Sequence, residues 1–414
     1  MVALALLLVA LQSPGAAPSL ADRIAAARAG DTVHVAAGVH RGPLTIDRPL
    51  VLIGGPGAII DAGGDGTIIT VRADSVELRG ITMRGGGISL NDDEAAVKLV
   101  RCTGCRVLDT RIVDALHGIY LLETRDVMLA GNEIAGNARL VESRRGNGIH
   151  LFRSTGTRIQ RNRIVGTRDG MYFSFAAHNV VVDNEVERTR YGLHYMYSDD
   201  NRFEGNRFTR NAAGAAIMFS TRILLRENVF SEHVGYRAYG ILLQTATEIL
   251  AERNRIEGNL TGLFLDGSID NTFRANVIAG NGIGVDLLAS AERNTFVDNA
   301  IVHNRTSVRN VLGAGENAWA RGGRGNFWGD RDVFDLDGDG IGDRPYEAGD
   351  PFASLASSRP ILELFTGTPA AAALSWAERA FPVFDVPRVI DPAPLVRPPA
   401  DAPAVRRGRA PSGR

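Results

Sequence analysis

The stretch GLHYMYSDDNRFEGN, Gly192 to Asn206, opens on a glycine and closes on an asparagine, and both residues recur at one period. Glycine heads GIYLLET at Gly118, GIHLFRS at Gly148, GMYFSFA at Gly170, GAAIMFS at Gly214, GILLQTA at Gly240, GLFLDGS at Gly262 and GVDLLAS at Gly284. The successive intervals are 30, 22, 22, 22, 26, 22 and 22 residues. Asparagine at 132, 162, 184, 206, 228, 254 and 276 repeats the same spacing. Each unit reads as a strand, an Asn or Asp turn, a second strand and another turn. That period fits one coil of a right-handed parallel β-helix. A leucine-rich horseshoe lacks its L-x-x-L-x-L frame here, and a propeller needs repeats nearly twice as long. The expected fold is all-β: a solenoid of 22-residue coils over residues 18–312, with a short N-terminal helix on its open end.

Strand alternation assigns faces. Positions one and three after each glycine, such as Met171, Phe173, Leu193, Tyr195, Ala215 and Ile217, read as stacked interior. Positions two and four read as the outer face: Tyr120, His150, Tyr172, His194, Ala216, Leu242, Phe264 and Asp286, then Leu122, Phe152, Ser174, Met196, Met218, Gln244, Asp266 and Leu288. His194 and Met196 then share one coil, roughly 7 Å apart, and Met218 sits about 4.8 Å from Met196 on the next. Imidazole and thioethers on one patch suit Cu(I), a soft ion, better than a hard cation. His150 and His178 are candidate further ligands. The same face also reads as a partner-docking strip through Tyr120, Phe152 and Tyr172. The longer intervals place insertions at NARLVESRRG (Asn137–Gly146) and SEHVGYRA (Ser231–Ala238), on turns that bracket this patch.

The 414 residues carry a net charge of −1 and are 44% hydrophobic, enough for a large core and too neutral for nucleic acid. Residues 1–17 read as an export signal, with an apolar run too short to span a bilayer and small residues at Ala16 and Ala17. Cys102 and Cys105, in RCTGCRV, read as a small disulfide or two unpaired thiols, since one pair does not complete a structural zinc site. The Asp/Gly-rich segment 313–350 contains Asp335, Asp337, Asp339 and Gly340, with Asp343 at the ninth position of a calcium-type loop. Tyr346 stands where that loop carries glutamate. Residues 351–414 hold 10 of the 17 prolines from Pro360 onward, and read as an extended tail with one short helix carrying Trp376 and Phe381.

Together GDTVHVAAGVH, GMYFSFAAHN, GLHYMYSDDNRFEGN and GNFWGDRDVFDLDGDGIGDRPYE resemble the NosD family of periplasmic nitrous-oxide reductase maturation proteins. LHYMYSDDN and NFWGD…FDLDGDGIGD are the specific segments. The resemblance implies an exported, non-enzymatic protein that works with an ABC permease and ATPase. That complex supplies copper, received from a small lipoprotein chaperone, for the copper-sulfide cluster of nitrous oxide reductase. It points to His194 and Met196 as ligands, and to Met171 and His178, although the face assignment turns Met171 inward. Two alternatives stand beside it. One is a carbohydrate-active β-helix enzyme using Asp266 and Asp286, roughly 8 Å apart on a diagonal of adjacent coils. The other is a metal-free scaffold.

Overall fold

The structure is a computed structural model that describes residues 18–288, 290–310, 316–348, 360–365, 368–380 and 389–404. The expected export signal and Phe381 lie outside the described residues. The chain winds into a right-handed parallel β-helix whose coils build three parallel sheets of 12, 13 and 12 strands. Each coil therefore holds three strands, where the repeat alone suggests two. In one coil Arg202–Glu204, Arg207–Thr209 and Ala213–Met218 supply the first, second and third sheets in turn. The first two are separated only by Gly205-Asn206, a break too short to separate runs by pattern.

The inward positions are closed to water: Met171, Phe173, Leu193, Tyr195, Ala215 and Ile217 are all fully buried. Met171 is thus core, as the alternation requires. Rings stack from coil to coil, with Phe208 and Phe230 centred 5.2 Å apart at 8°. The glycine column marks where coils touch most closely. A Cβ on Gly192 would lie 2.7 Å from the Gly214 carbonyl oxygen and 2.8 Å from Phe208 Cδ1, so any larger residue pushes two coils apart.

The asparagine column is a buried hydrogen-bonded file. Asn184 donates both its backbone N–H and its Nδ2 to Asn206 Oδ1, at 3.0 and 2.9 Å, and Asn206 repeats this to Asn228. The second Nδ2 hydrogen of Asn206 goes to the Val181 carbonyl at 2.9 Å. The turn's buried backbone groups are satisfied by side chains of neighbouring coils, which is why Asn recurs. The file runs through Asn299 and Asn326 and ends on a carboxylate. Asp391, fully buried, accepts from Asn326 N at 2.7 Å and Trp328 Nε1 at 2.9 Å.

Two ends close the solenoid. The helix Leu20–Ala26 has a capping box between Ser19 and Asp22, and buries Leu20 and Ile24 against the first coil. At the other end Trp319, Trp328 and Tyr346 extend the core stack. Val389–Asp391 pairs antiparallel with Tyr346–Ala348. The expected extended tail is therefore corrected for 389–404, which returns to the solenoid because Asp391 supplies the last acceptor of the asparagine file. Cys102 and Cys105 form a buried disulfide.

A parallel file at another corner contains one misfit. His233 stands between Asn211 and Asn259; its Nδ1 accepts from Asn211 N at 3.2 Å, and its buried Nε2 has no partner among the described residues. Burial drives its pKa down to about 3. The folded value lies below the ordinary 6.5, so this residue's contribution is intact above pH 6.5 and is lost as pH falls toward 3. His233→Asn is expected to raise stability by about 1–3 kcal/mol at pH 7. The gain should widen at pH 5, as measured by urea unfolding. Asp391→Ala should strip hydrogen-exchange protection from 389–404 and cost about 2–5 kcal/mol, because two buried donors lose their acceptor.

Candidate metal site on the third sheet

The three outer walls differ in chemistry. The first and second sheets present ion-pair ladders, such as Glu252 between Arg226 (2.6 Å) and Arg274 (3.1 Å), and Glu187 between Arg163 (2.6 Å) and Arg210. The third sheet instead carries a file of rings. Tyr120, His150, Tyr172 and His194 follow one another at centroid separations of 4.4, 4.6 and 4.7 Å. His117 flanks Tyr120 and His150, and Tyr191 lies 5.0 Å from His194.

Register places the candidate ligands as the alternation predicts. His194 pairs with Tyr172 and Ala216, and Met196 pairs with Met218. All three project outward and are partly exposed. Tyr172 Oη lies 3.9 Å from Met196 Sδ. His150 stands two coils from His194, with Tyr172 between them. His178 is on the exposed corner after Asp169–Ser174, beyond the strand rather than on the wall. Tyr120 is 5% exposed, covered by its ring neighbours, so it is removed from the expected partner surface. Phe152 is half-buried, edge-on to Phe175.

Asp169 and Arg190 complete the site and escape sequence inspection. Asp169 Oδ2 is 2.9 Å from His194 Nδ1. Arg190 grips the same carboxylate with a fork, Nε to Oδ1 at 2.8 Å and Nη2 to Oδ2 at 2.6 Å. Burial alone would raise the Asp169 carboxyl, but bonds from His194 and Arg190 outweigh it and hold the group below the ordinary carboxylate value. The available signal was the column one place before each glycine, where only Asp169 is acidic.

The position five residues after the repeat glycine was also missed. Phe175, Tyr197 and Phe219 occupy it in the three coils that carry Ser174, Met196 and Met218. They are 53, 47 and 40% exposed, and stack at 5.3 and 5.1 Å with near-parallel rings. All have φ near +50°, a backbone state that bulky residues occupy at a cost of about 1–3 kcal/mol. The thioether pair thus has a strip of aromatic carbon beside it.

The insertions fall between second-sheet and third-sheet strands, at 137–148 and 232–238. They stand at the same edge of the third sheet, one on each side of the coils bearing Tyr172, His194 and Ala216. The first includes the short helix Glu142–Arg144; the second exposes Val234 and Tyr236.

Elsewhere Asp335, Asp337 and Asp339 bring carboxylate oxygens within 4.8 Å of one another. Asp343 is not part of that group; it accepts from Leu336 N at 2.7 Å. Asp286 is fully buried beneath a fork from Arg309 at 2.9 and 2.5 Å.

Comparison with known proteins places the chain. A family model described as periplasmic copper-binding protein (NosD) matches residues 130–333. A probable ABC transporter binding protein NosD of Pseudomonas aeruginosa is 36% identical, covering 97% of this chain and 96% of its own. The chain belongs to the NosD family. A second protein of that name, from Stutzerimonas stutzeri, is 35% identical over 88% of this chain and 86% of its own. Solved structures share the fold alone. The pre-mature gene product 12 of bacteriophage phi29 matches at TM-score 0.61 and 14% identity, over 72% of this chain and 48% of its own. A lidless DFA-IIIase from Arthrobacter chlorophenolicus A6 matches at 0.51 and 13%, over 69% and 87%.

The other two wall histidines are held neutral. Burial, with Lys98 and Arg168 nearby, takes His117 down to about 4; burial, with His117 beside it, takes His150 down to about 3. Both lie below the unfolded value near 6.5, so stability is lost as pH falls through the window from 6.5 to 3. His150→Gln should remove about 2 kcal/mol of the stability loss between pH 7 and pH 5, measured by denaturant unfolding.

Proposed function

We propose that this NosD-family chain is a periplasmic accessory protein of an ABC-type copper supply complex. It binds or passes Cu(I) at His194, Met196 and Met218. The carrying observation is that His194, with its Nδ1 engaged by Asp169, lies beside a register-paired thioether couple on the wall that carries a file of rings. One imidazole nitrogen and two thioethers form a soft, incomplete donor set, which suits Cu(I) and leaves room for exchange. His150 and His178 stand outside this minimal set, one by distance along the file and one by its place on the corner.

In this reading the permease and its ATPase, the lipoprotein copper donor and nitrous oxide reductase meet the protein along the framed wall. Tyr172, Phe152 and the exposed strip Phe175–Tyr197–Phe219 offer apolar contact there, and Trp376, 68% exposed on the helix Pro369–Ala380, offers a second. Among the described residues no helix is long and apolar enough to cross a membrane. The calcium loop is a secondary part of the reading: Asp335, Asp337 and Asp339 would hold the ion without Asp343.

The observation on Asp286 weighs against the glycoside-processing alternative. A carboxylate with no exposed surface and an arginine fork does not reach a sugar chain or shuttle a proton to it. A metal-free scaffold differs in a measurable way. Anaerobic competition titration with a Cu(I) chelator should show a single tight event in the wild type, weakened at least 10-fold in His194→Ala and in Met196→Leu with Met218→Leu. Equal affinity in all three proteins ends the assignment.

A further inference from the structure

The structure assigns Asp169 as the positioning residue of the metal site: its carboxylate keeps the His194 proton on Nδ1 and so leaves the Nε2 lone pair as the metal-accepting nitrogen. This rests on the copper reading of the same wall.

The argument is one of donors and acceptors. A neutral imidazole carries one proton, and the partner at one nitrogen decides what the other offers. Asp169 is buried and engaged at both oxygens by the Arg190 fork, so it faces His194 as a carboxylate, which only accepts. Arg190 Nη2 also lies 3.4 Å from the same Nδ1, but it already donates to Asp169 Oδ2 at 2.6 Å, so the shorter 2.9 Å contact with the carboxylate decides and needs the proton on Nδ1. Among the described residues nothing hydrogen-bonds Nε2 of His194, and the side chain keeps 14% of its surface open. A histidine whose far nitrogen is tied to a carboxylate is the arrangement in which metal-ligating imidazoles are held.

Three other histidines, His117, His150 and His233, have the opposite polarity. His117 Nδ1 faces the backbone N–H of Asn147 at 2.9 Å. His150 Nδ1 faces Asn147 Nδ2 at 3.3 Å, and His233 Nδ1 faces the N–H of Asn211. Each partner is a donor, so each Nδ1 must be the lone pair and each Nε2 carries the proton. His150 and His194 occupy one column of the repeat and are two coils apart, yet only His194 is set to receive a metal. Arg190 has a defined part as well. By occupying both Asp169 oxygens it fixes the plane of the carboxylate and stacks its own guanidinium over Tyr191, 4.7 Å from the ring centre.

Nitrogen-resolved imidazole NMR of the metal-free wild type tests this without any substitution. His194 should show protonated Nδ1 and bare Nε2, and His150 the reverse; His194 with the proton on Nε2 overturns the assignment. Asp169→Leu should release the tautomer and weaken Cu(I) binding 10- to 100-fold in the same chelator titration. Asp169→Asn combined with Arg190→Gln restores an oxygen acceptor, and should recover the tautomer and affinity to within a few-fold. Wild-type affinity in Asp169→Leu beside a large loss in His194→Ala overturns the role of Asp169 and leaves the copper reading intact. Wild-type affinity in His194→Ala overturns both the copper reading and this inference.

Discussion

The structure depends on one recurring interaction: a buried asparagine whose carbonyl accepts two bonds from the previous coil while its amide returns one to an earlier strand. Parallel strands by themselves fix spacing but tolerate slippage. The amide file removes that freedom, because a coil displaced by one residue leaves several buried donors and acceptors without partners, each costing about 1–3 kcal/mol. The same registration brings Met196 opposite Met218 and Tyr172 opposite His194. Coordinates on the outer wall are therefore set by hydrogen bonds on the inside of the corners.

Registration also explains where coils tolerate change. The two insertions enter at the corner between second and third sheets, where backbone can be solvated, and the second spans the file of that corner at His233, whose own N–H still reaches Asn259 Oδ1 at 3.2 Å. The Asn228–Asn254 step spans the longer interval and keeps the same bonds, at 2.9 and 3.1 Å, so the extra residues are absorbed wholly in the loop. The C-terminal end cannot be left open in this way. Its last asparagine still needs an acceptor, and Asp391 provides it from 65 residues further along the chain.

The repeat was legible because its determinants are local and periodic: glycine where backbones approach, asparagine where a turn must be satisfied, and alternation along six-residue strands. It gave the solenoid, the inward turn of Met171 and the outer position of His194, Met196 and Met218. The remaining features were not legible for specific reasons. Asp391 belongs to no repeat, so no period points to it. Asp169 occupies a column that holds His117, Asn147, Tyr191 and Ala213 in other coils, and its role appears only when Arg190 and His194 of the next coil close around it. Phe175, Tyr197 and Phe219 occupy positions with positive φ, where bulky residues are disfavoured, so local preference argued against looking there. Tyr120 was placed on the correct face, but alternation says nothing of cover, and neighbouring rings hide it.

Rigidity and exchange meet at the third wall. The imidazole is fixed by a carboxylate that is itself fixed by a guanidinium, so one donor is presented without further ordering. The thioethers are flexible chains on an otherwise rigid pleat, and methionine adapts its rotamers at small cost. Under the proposed copper role this asymmetry would suit a carrier. A site with every donor locked binds tightly and releases slowly, whereas one rigid nitrogen with two mobile sulfurs lets an incoming ligand displace the sulfurs one at a time. The aromatic strip beside Met196 and Met218 fits the same logic. Under the proposed copper role it would keep an apolar surface next to the two sulfurs, where a docking partner would exclude water from a soft ion as it changes hands.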